Sequence, residues 1–128
     1  MNPPVELEGL WVKVDKVVFH PEARVPADRP FCFAYHVTIH NDSDVEVTIR
    51  GRKWVVRADD GEVTVVEGDG VVGQTPQLSP GESFSYNSFH LLRTKTAVAE
   101  GAYLGLAGDG RSVFTRIPAF ALRVPVGD

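Results

Sequence analysis

Gly68-Asp69-Gly70-Val71-Val72-Gly73 satisfies G-x-G-x-x-G, the spacing that lets a backbone approach a pyrophosphate in dinucleotide-binding units. In those units the glycines allow a tight turn, and the helix that follows offers its N-terminal amides to the anion. A strand is predicted just before the motif, over Val63-Thr64-Val65-Val66. No helix can follow it, because Pro76 and Pro80 remove amide donors and clash with any helix starting there. What remains is the loop itself: successive amides from Gly68 to Gly73 could form an anion-binding nest without a helix. Arg50, Arg52 and Lys53 are the cations that would balance a phosphate-containing small molecule held there. Glu67 and Asp69 oppose it by bringing negative charge to the same place. The competing reading is a strand connection that needs glycine for its positive φ angles.

No other residues converge on a reaction. His36 and His40 share a strand face, but four residues of strand separate them by ~13 Å, too far to ligate one metal ion. Asp42, Asp44 and Glu46 alternate without the glycine and terminal glutamate of a calcium loop. Cys32 lies mid-strand between Phe31 and Phe33, the setting of an inert thiol. Ser79, Ser83, Ser85 and Ser88 occupy no G-x-S-x-G elbow. His20 and His90 fall in predicted connections, and the acidic clusters fall in turns. The chain is therefore read as a non-enzyme, with no catalytic residue, metal site or cofactor assigned.

The elements that must position these residues have a period of two. Phe31, Phe33, Tyr35, Val37 and Ile39 alternate with Cys32, Ala34, His36, Thr38 and His40, giving one core face and one semi-polar face. Leu10, Val12, Val14 and Val18 line one side of an earlier strand, and Val45, Val47 and Ile49 continue after the turn-rich Asn41-Asp42-Ser43-Asp44. Gly51 interrupts that run before Trp54-Val55-Val56, which predicts a bulge or bend. Asp59-Asp60-Gly61 signals a hairpin, and Ser79-Pro80-Gly81-Glu82 a second turn. Phe84 and Tyr86, then Ala102, Leu104 and Leu106, mark further strands; Val113 to Arg116 and Phe120 to Val124 close the chain on either side of Pro118. Thr94 to Glu100 is the best helical candidate, no more than a turn or so. Seven or eight short strands predict an all-β antiparallel sandwich.

At 128 residues the chain is read as one domain, residues 1–128, with its core over about 10–125. A net charge of −4 argues against general nucleic-acid binding. Cys32 is the single cysteine, so no internal disulfide forms. The first eight residues lack a signal-peptide pattern, and no apolar run approaches the ~20 residues of a membrane span. A cytoplasmic protein with no membrane partner is expected. Trp11, Phe89 and Tyr103 fall on less apolar parities or in connections, where aromatics suit a protein interface or a homodimer contact.

Beyond single motifs, an ordered set of segments resembles the bacterial ApaG family. It comprises Phe33-Ala34-Tyr35-His36-Val37-Thr38-Ile39-His40-Asn41, Arg52-Lys53-Trp54, Asp60-Gly61 and Val66 to Gln74. Pro76, Leu78, Pro80-Gly81-Glu82-Ser83-Phe84, Tyr86, Gly101-Ala102-Tyr103 and Ile117-Pro118-Ala119-Phe120 complete it, so that the resemblance runs from about Leu10 to Pro125. It implies a fibronectin type III or immunoglobulin-like sandwich and no established activity. It also implies loose links to diadenosine tetraphosphate metabolism and to cobalt and magnesium tolerance, and suggests pyrophosphate or nucleotide binding at the glycine loop. Related domains in eukaryotic F-box proteins imply protein binding. One segment departs: Thr94 to Ala99 stands where the family carries a Thr-Pro-Val-Gly-Thr-Met-like stretch. The expectation is a binding or adaptor module, with a phosphate or nucleotide binder as the alternative.

Overall fold

The computed structural model describes residues 3–126. Its strands are β1 (Val5–Glu6), β2 (Leu10–Phe19), β3 (Phe31–Asn41), β4 (Val47–Ala58), β5 (Val63–Asp69), β6 (Gln77–Leu78), β7 (Ser83–Leu92), β8 (Thr96–Ala107) and β9 (Ser112–Arg123). Two sheets result. One has the order β1-β9-β8-β4-β5, with β6 also paired to β4; the other is β2-β3-β7. All pairings are antiparallel except that of β1 with β9. This is the all-β sandwich that the alternating sequence predicts.

Apolar residues of alternate parity meet between the sheets. Phe33, Tyr35, Val37 and Ile39 of β3 face Ile49, Trp54 and Val56 of β4, Ala99 and Tyr103 of β8, and Ile117 and Leu122 of β9, all buried. Burying such side chains contributes roughly 1.5–3 kcal/mol each for the larger aliphatics, before ordering costs. The central position of β3 has a further consequence. Cys32 and Ala34, on the face expected to be semi-polar, are buried too.

Three local expectations fail, each for a traceable reason. Thr94 to Glu100 is not helical: Thr96 onwards is the start of β8, with Ala97 and Ala99 buried and Val98 exposed between them. Helix-forming residues there are overruled by pairing with β4 and β9 on both sides. In β2 the register slips between Val14 and Lys16. The bulge moves the core side from the parity of Val14 to that of Val17 and Phe19, so that Val18 does not continue it. Pro118 does not separate two strands; β9 runs through it, with a register irregularity opposite Ala99 and Gly101. A proline is tolerated at such a bulge because no ladder bond is lost. The bulge expected near Gly51 is present, between Ile49 and Gly51.

Candidate functional site at the glycine loop

The motif's first two residues are not loop at all. Gly68 and Asp69 are the last residues of β5, opposite Arg52 and Gly51 of β4. Gly70 N–H then donates to Arg50 O at 2.7 Å, and Val71 and Gln74 bond each other's backbone at 2.8 and 2.9 Å. Val72 and Gly73 form the two-residue tip, with φ of 45° and 78°, the sign pattern of a type I′ turn. The amides of Gly70 and Val71 are therefore already bonded, and they do not belong to a free anion nest. Val71 is fully buried beneath the tip, whereas Val72 is exposed.

Each glycine of the motif has a structural reason. At Gly68 a Cβ would come within 2.7 Å of the Arg52 guanidinium, which lies across that position. From there Arg52 Nη1 donates to the carbonyls of Asp69 at 2.9 Å and Gly70 at 3.2 Å. Gly70 has φ of 66°, and a Cβ would lie 2.5 Å from Gln74 O. Gly73 has open space around it but a positive φ that other residues adopt at a cost.

The charged residues around the motif are engaged differently. Arg52 turns toward the sheet interior with Trp54, its parity partner, and is held by carbonyls. The bulge turns Arg50 outward, where a shallow cleft of about 670 Å³ opens over side-chain-free Gly51, bounded by Arg50, Arg52, Lys53, Glu67, Gly68, Asp69 and Leu104. Lys53 Nζ lies 3.5 Å from Glu67 Oε1, with both side chains well exposed. Among the described residues Arg50 makes no ion pair. Arg50, Arg52, Lys53 and the first residues of the glycine motif are thus neighbours around one cleft, and Arg52 is the one bonded to the loop carbonyls.

A second constellation escaped sequence reasoning. Tyr35, Tyr86 and His90 from one sheet meet Trp54, Tyr103 and Phe120 from the other. The Tyr86 and Tyr103 hydroxyls hydrogen-bond to each other, and burial raises the pKa of both phenols. His90 stacks on Tyr35 with ring centroids 4.6 Å apart, and burial lowers its pKa to about 4. Among the described residues neither Trp54 Nε1 nor His90 Nε2 has a hydrogen-bond partner. Two expectations change here. Tyr103 is fully buried rather than available to an interface, and His90 lies within β7 rather than in a connection. The parity of β7, with Phe84 and Tyr86 inward, already carried the signal for His90.

The remaining candidates are dispersed. Trp11 is exposed, stacked on His40 at 4.2 Å and bonded through Nε1 to Asp42 Oδ2 at 2.7 Å. Phe89 is exposed on the outer face of β7. Cys32 is buried, which pushes its thiol pKa up. Among the described residues no three His, Cys, Asp or Glu side chains are grouped to hold a metal ion, and no helix is long and apolar enough to cross a membrane.

The decisive comparison is with a family model. The ApaG domain model matches residues 21–106, which include β3 to β7 and most of β8. The chain belongs to the ApaG family. It is 40% identical to Protein ApaG of Azoarcus sp. (strain BH72) over 119 residues, 92% of this chain and 94% of that protein. It is likewise 40% identical over 118 residues to Protein ApaG of Anaeromyxobacter dehalogenans, covering 92% of each. A crystal structure of a Bordetella pertussis protein designated ApaA is similar with a TM-score of 0.84 at 33% identity, covering 97% of this chain and all of that one. The ApaG resemblance read from the ordered segments is thus correct, and so is the sandwich it implies.

Proposed function

We propose that this ApaG-family chain is a non-catalytic binding module whose ligand is another protein. The observation that carries the reading is the outer edge of β5. Val63, Val65 and Val66 are 54%, 54% and 41% exposed on a strand that, among the described residues, pairs with β4 on one side only. Natural edge strands are commonly blunted by lysine, proline or a bulge, and Val63–Asp69 has none of these. An exposed apolar edge of this kind suits a partner that covers it. Phe89 and the Leu104–Leu106 face add further exposed apolar area.

The test is a photo-cross-linking side chain placed singly at Val65, Phe89 or Leu106 in the full chain. The expected result is a discrete adduct whose partner, once purified, forms a defined complex that a substitution at the same position weakens. No such complex from any of the three positions rejects the reading.

A second reading rests on Arg50, an exposed cation with no ion pair among the described residues, beside the cleft over Gly51. Pyrophosphate or a nucleotide would sit against Arg50 and Lys53 rather than in a nest of loop amides. Titration calorimetry with pyrophosphate and diadenosine tetraphosphate tests it. The reading predicts heat that Arg50→Ala removes, and no heat at millimolar ligand rejects it.

A further inference from the structure

Hydrogen-bond alternation fixes what β5 offers at its free edge. Ala58 N donates to Glu62 O at 2.9 Å, and Gly70 N donates to Arg50 O at 2.7 Å. Alternate residues of an antiparallel pair exchange both backbone bonds with the partner strand, so Thr64, Val66 and Gly68 bond to β4. The N–H and C=O groups of Val63, Val65 and Glu67 point the other way. Beyond them Arg52 already caps the Asp69 carbonyl. At the opposite end Arg93 and Arg29 hold Glu62, and Arg93 also holds Asp60. The open stretch is therefore Val63 to Glu67, with Val63, Val65 and Glu67 on the outward face and Thr64 and Val66 on the inward one.

The other edges are less receptive. β1 has two residues, β2 is bulged and carries Lys13 and Lys16, and β7 is apolar on its outward face only at Phe89 and Leu91, after Ser83, Ser85 and Asn87. Charge then chooses among occupants of β5. From Asp59 to Asp69 the chain has five carboxylates and no lysine or arginine. A second copy paired antiparallel about Val65 would set Glu67 opposite Val63 and Asp69 opposite Gly61, with no strand cation to meet either carboxylate. An unrelated segment with one cation in the right place meets Glu67 and keeps the valines in apolar contact.

Resting on the binding-module reading, we propose that β5 accepts an antiparallel extended segment of another protein. Its sequence has the form Lys/Arg-x-Val/Ile-x-Val/Ile, with the cation against Glu67 and the apolar residues against Val65 and Val63. The existing Lys53–Glu67 contact is exposed and long, so it competes weakly for the carboxylate.

The probe is the peptide acetyl-Ser-Lys-Val-Val-Thr-Val-Ser-amide, titrated into the isotope-labelled full chain. The expected result is slowed amide exchange at Val63, Val65 and Glu67, with Thr64, Val66 and Gly68 already protected by β4. Exchanging the peptide's Lys for Glu should weaken binding about tenfold, and Glu67→Lys should reverse that preference. N-methylation of the peptide residue facing Val65 should abolish binding. Protection at other residues, equal affinity for the Lys and Glu peptides, or no binding at millimolar peptide overturns the proposal. Those outcomes leave a partner cross-linked through Phe89 or Leu106 intact, so this inference and the module reading fail separately.

Discussion

Gly68 and Arg52 act as one unit. The missing side chain at Gly68 is the channel through which the guanidinium reaches the Asp69 and Gly70 carbonyls. Gly68→Ala is expected to displace Arg52 and cost about 1 kcal/mol, the scale of partly exposed charge-assisted bonds. Arg52→Ala should cost a similar amount, and the double variant little more than either, because both remove the same contacts. Denaturant titration of the three variants checks this; full additivity would separate the two residues. Asn41 shows what a residue's type alone conceals. It reads as the start of a polar turn, yet it is fully buried at the end of β3. Its Nδ2 donates to Val45 O and Leu78 O, and its Oδ1 accepts from Ser43 N and Oγ. Asn41→Ala removes these four hydrogen bonds at a fully buried position, and a loss of roughly 2–4 kcal/mol is expected from chemical unfolding. That network joins residues 37 apart in the chain, so no local spacing could reveal it.

At the scale of elements, alternation made the strands legible, and bulges set the limit. A single extra residue in β2 moves every later side chain to the opposite face, which is why Val17 and Phe19, not Val18, reach the core. The bulge at Gly51 was readable because glycine is the residue such a site favours; the slip after Val14 has no such marker. The glycine motif was readable as a turn but not as a half-strand, because which amides are bonded depends on β4 lying beside it. Within that turn Val72 is the strained member. A β-branched residue at φ of 45° is disfavoured by its own Cβ, and the tip leaves it exposed without compensating burial. Val72→Asn would supply the Asn-Gly pair that type I′ turns prefer. An increase of about 1 kcal/mol is expected, raising Tm by roughly 3–6 °C in a thermal melt. An unchanged or lower Tm would mean that Val72 contributes more through its contacts than it loses to strain.

Across the whole molecule the two sheets are joined differently at their two sides. Where β2 lies against β9, the Thr115 hydroxyl donates to the Leu10 carbonyl at 2.8 Å and Leu7 is buried beside it. Toward β5 and β7, Val66 remains 41% exposed although its parity is inward, and it lies opposite Trp54 of the aromatic cluster. His90 is the histidine enclosed there, among Tyr35, Trp54 and the other rings, with no carboxylate bonded to it among the described residues. Its folded pKa of about 4 lies below the ordinary value of 6.5 because the imidazolium would be desolvated. The unfolded chain therefore binds the extra proton first as pH falls. The stability associated with neutral His90 is fully present above pH 6.5 and is lost progressively down to about pH 4, on the order of 3 kcal/mol. His90→Phe keeps a ring of similar size and removes an imidazole whose Nε2 has no partner among the described residues. The variant is expected to flatten the fall in stability between pH 6.5 and 4 while leaving stability near pH 7.5 within about 1 kcal/mol. Urea titrations across that range measure both quantities. An undiminished slope in His90→Phe would show that His90 is not the source of the acid sensitivity.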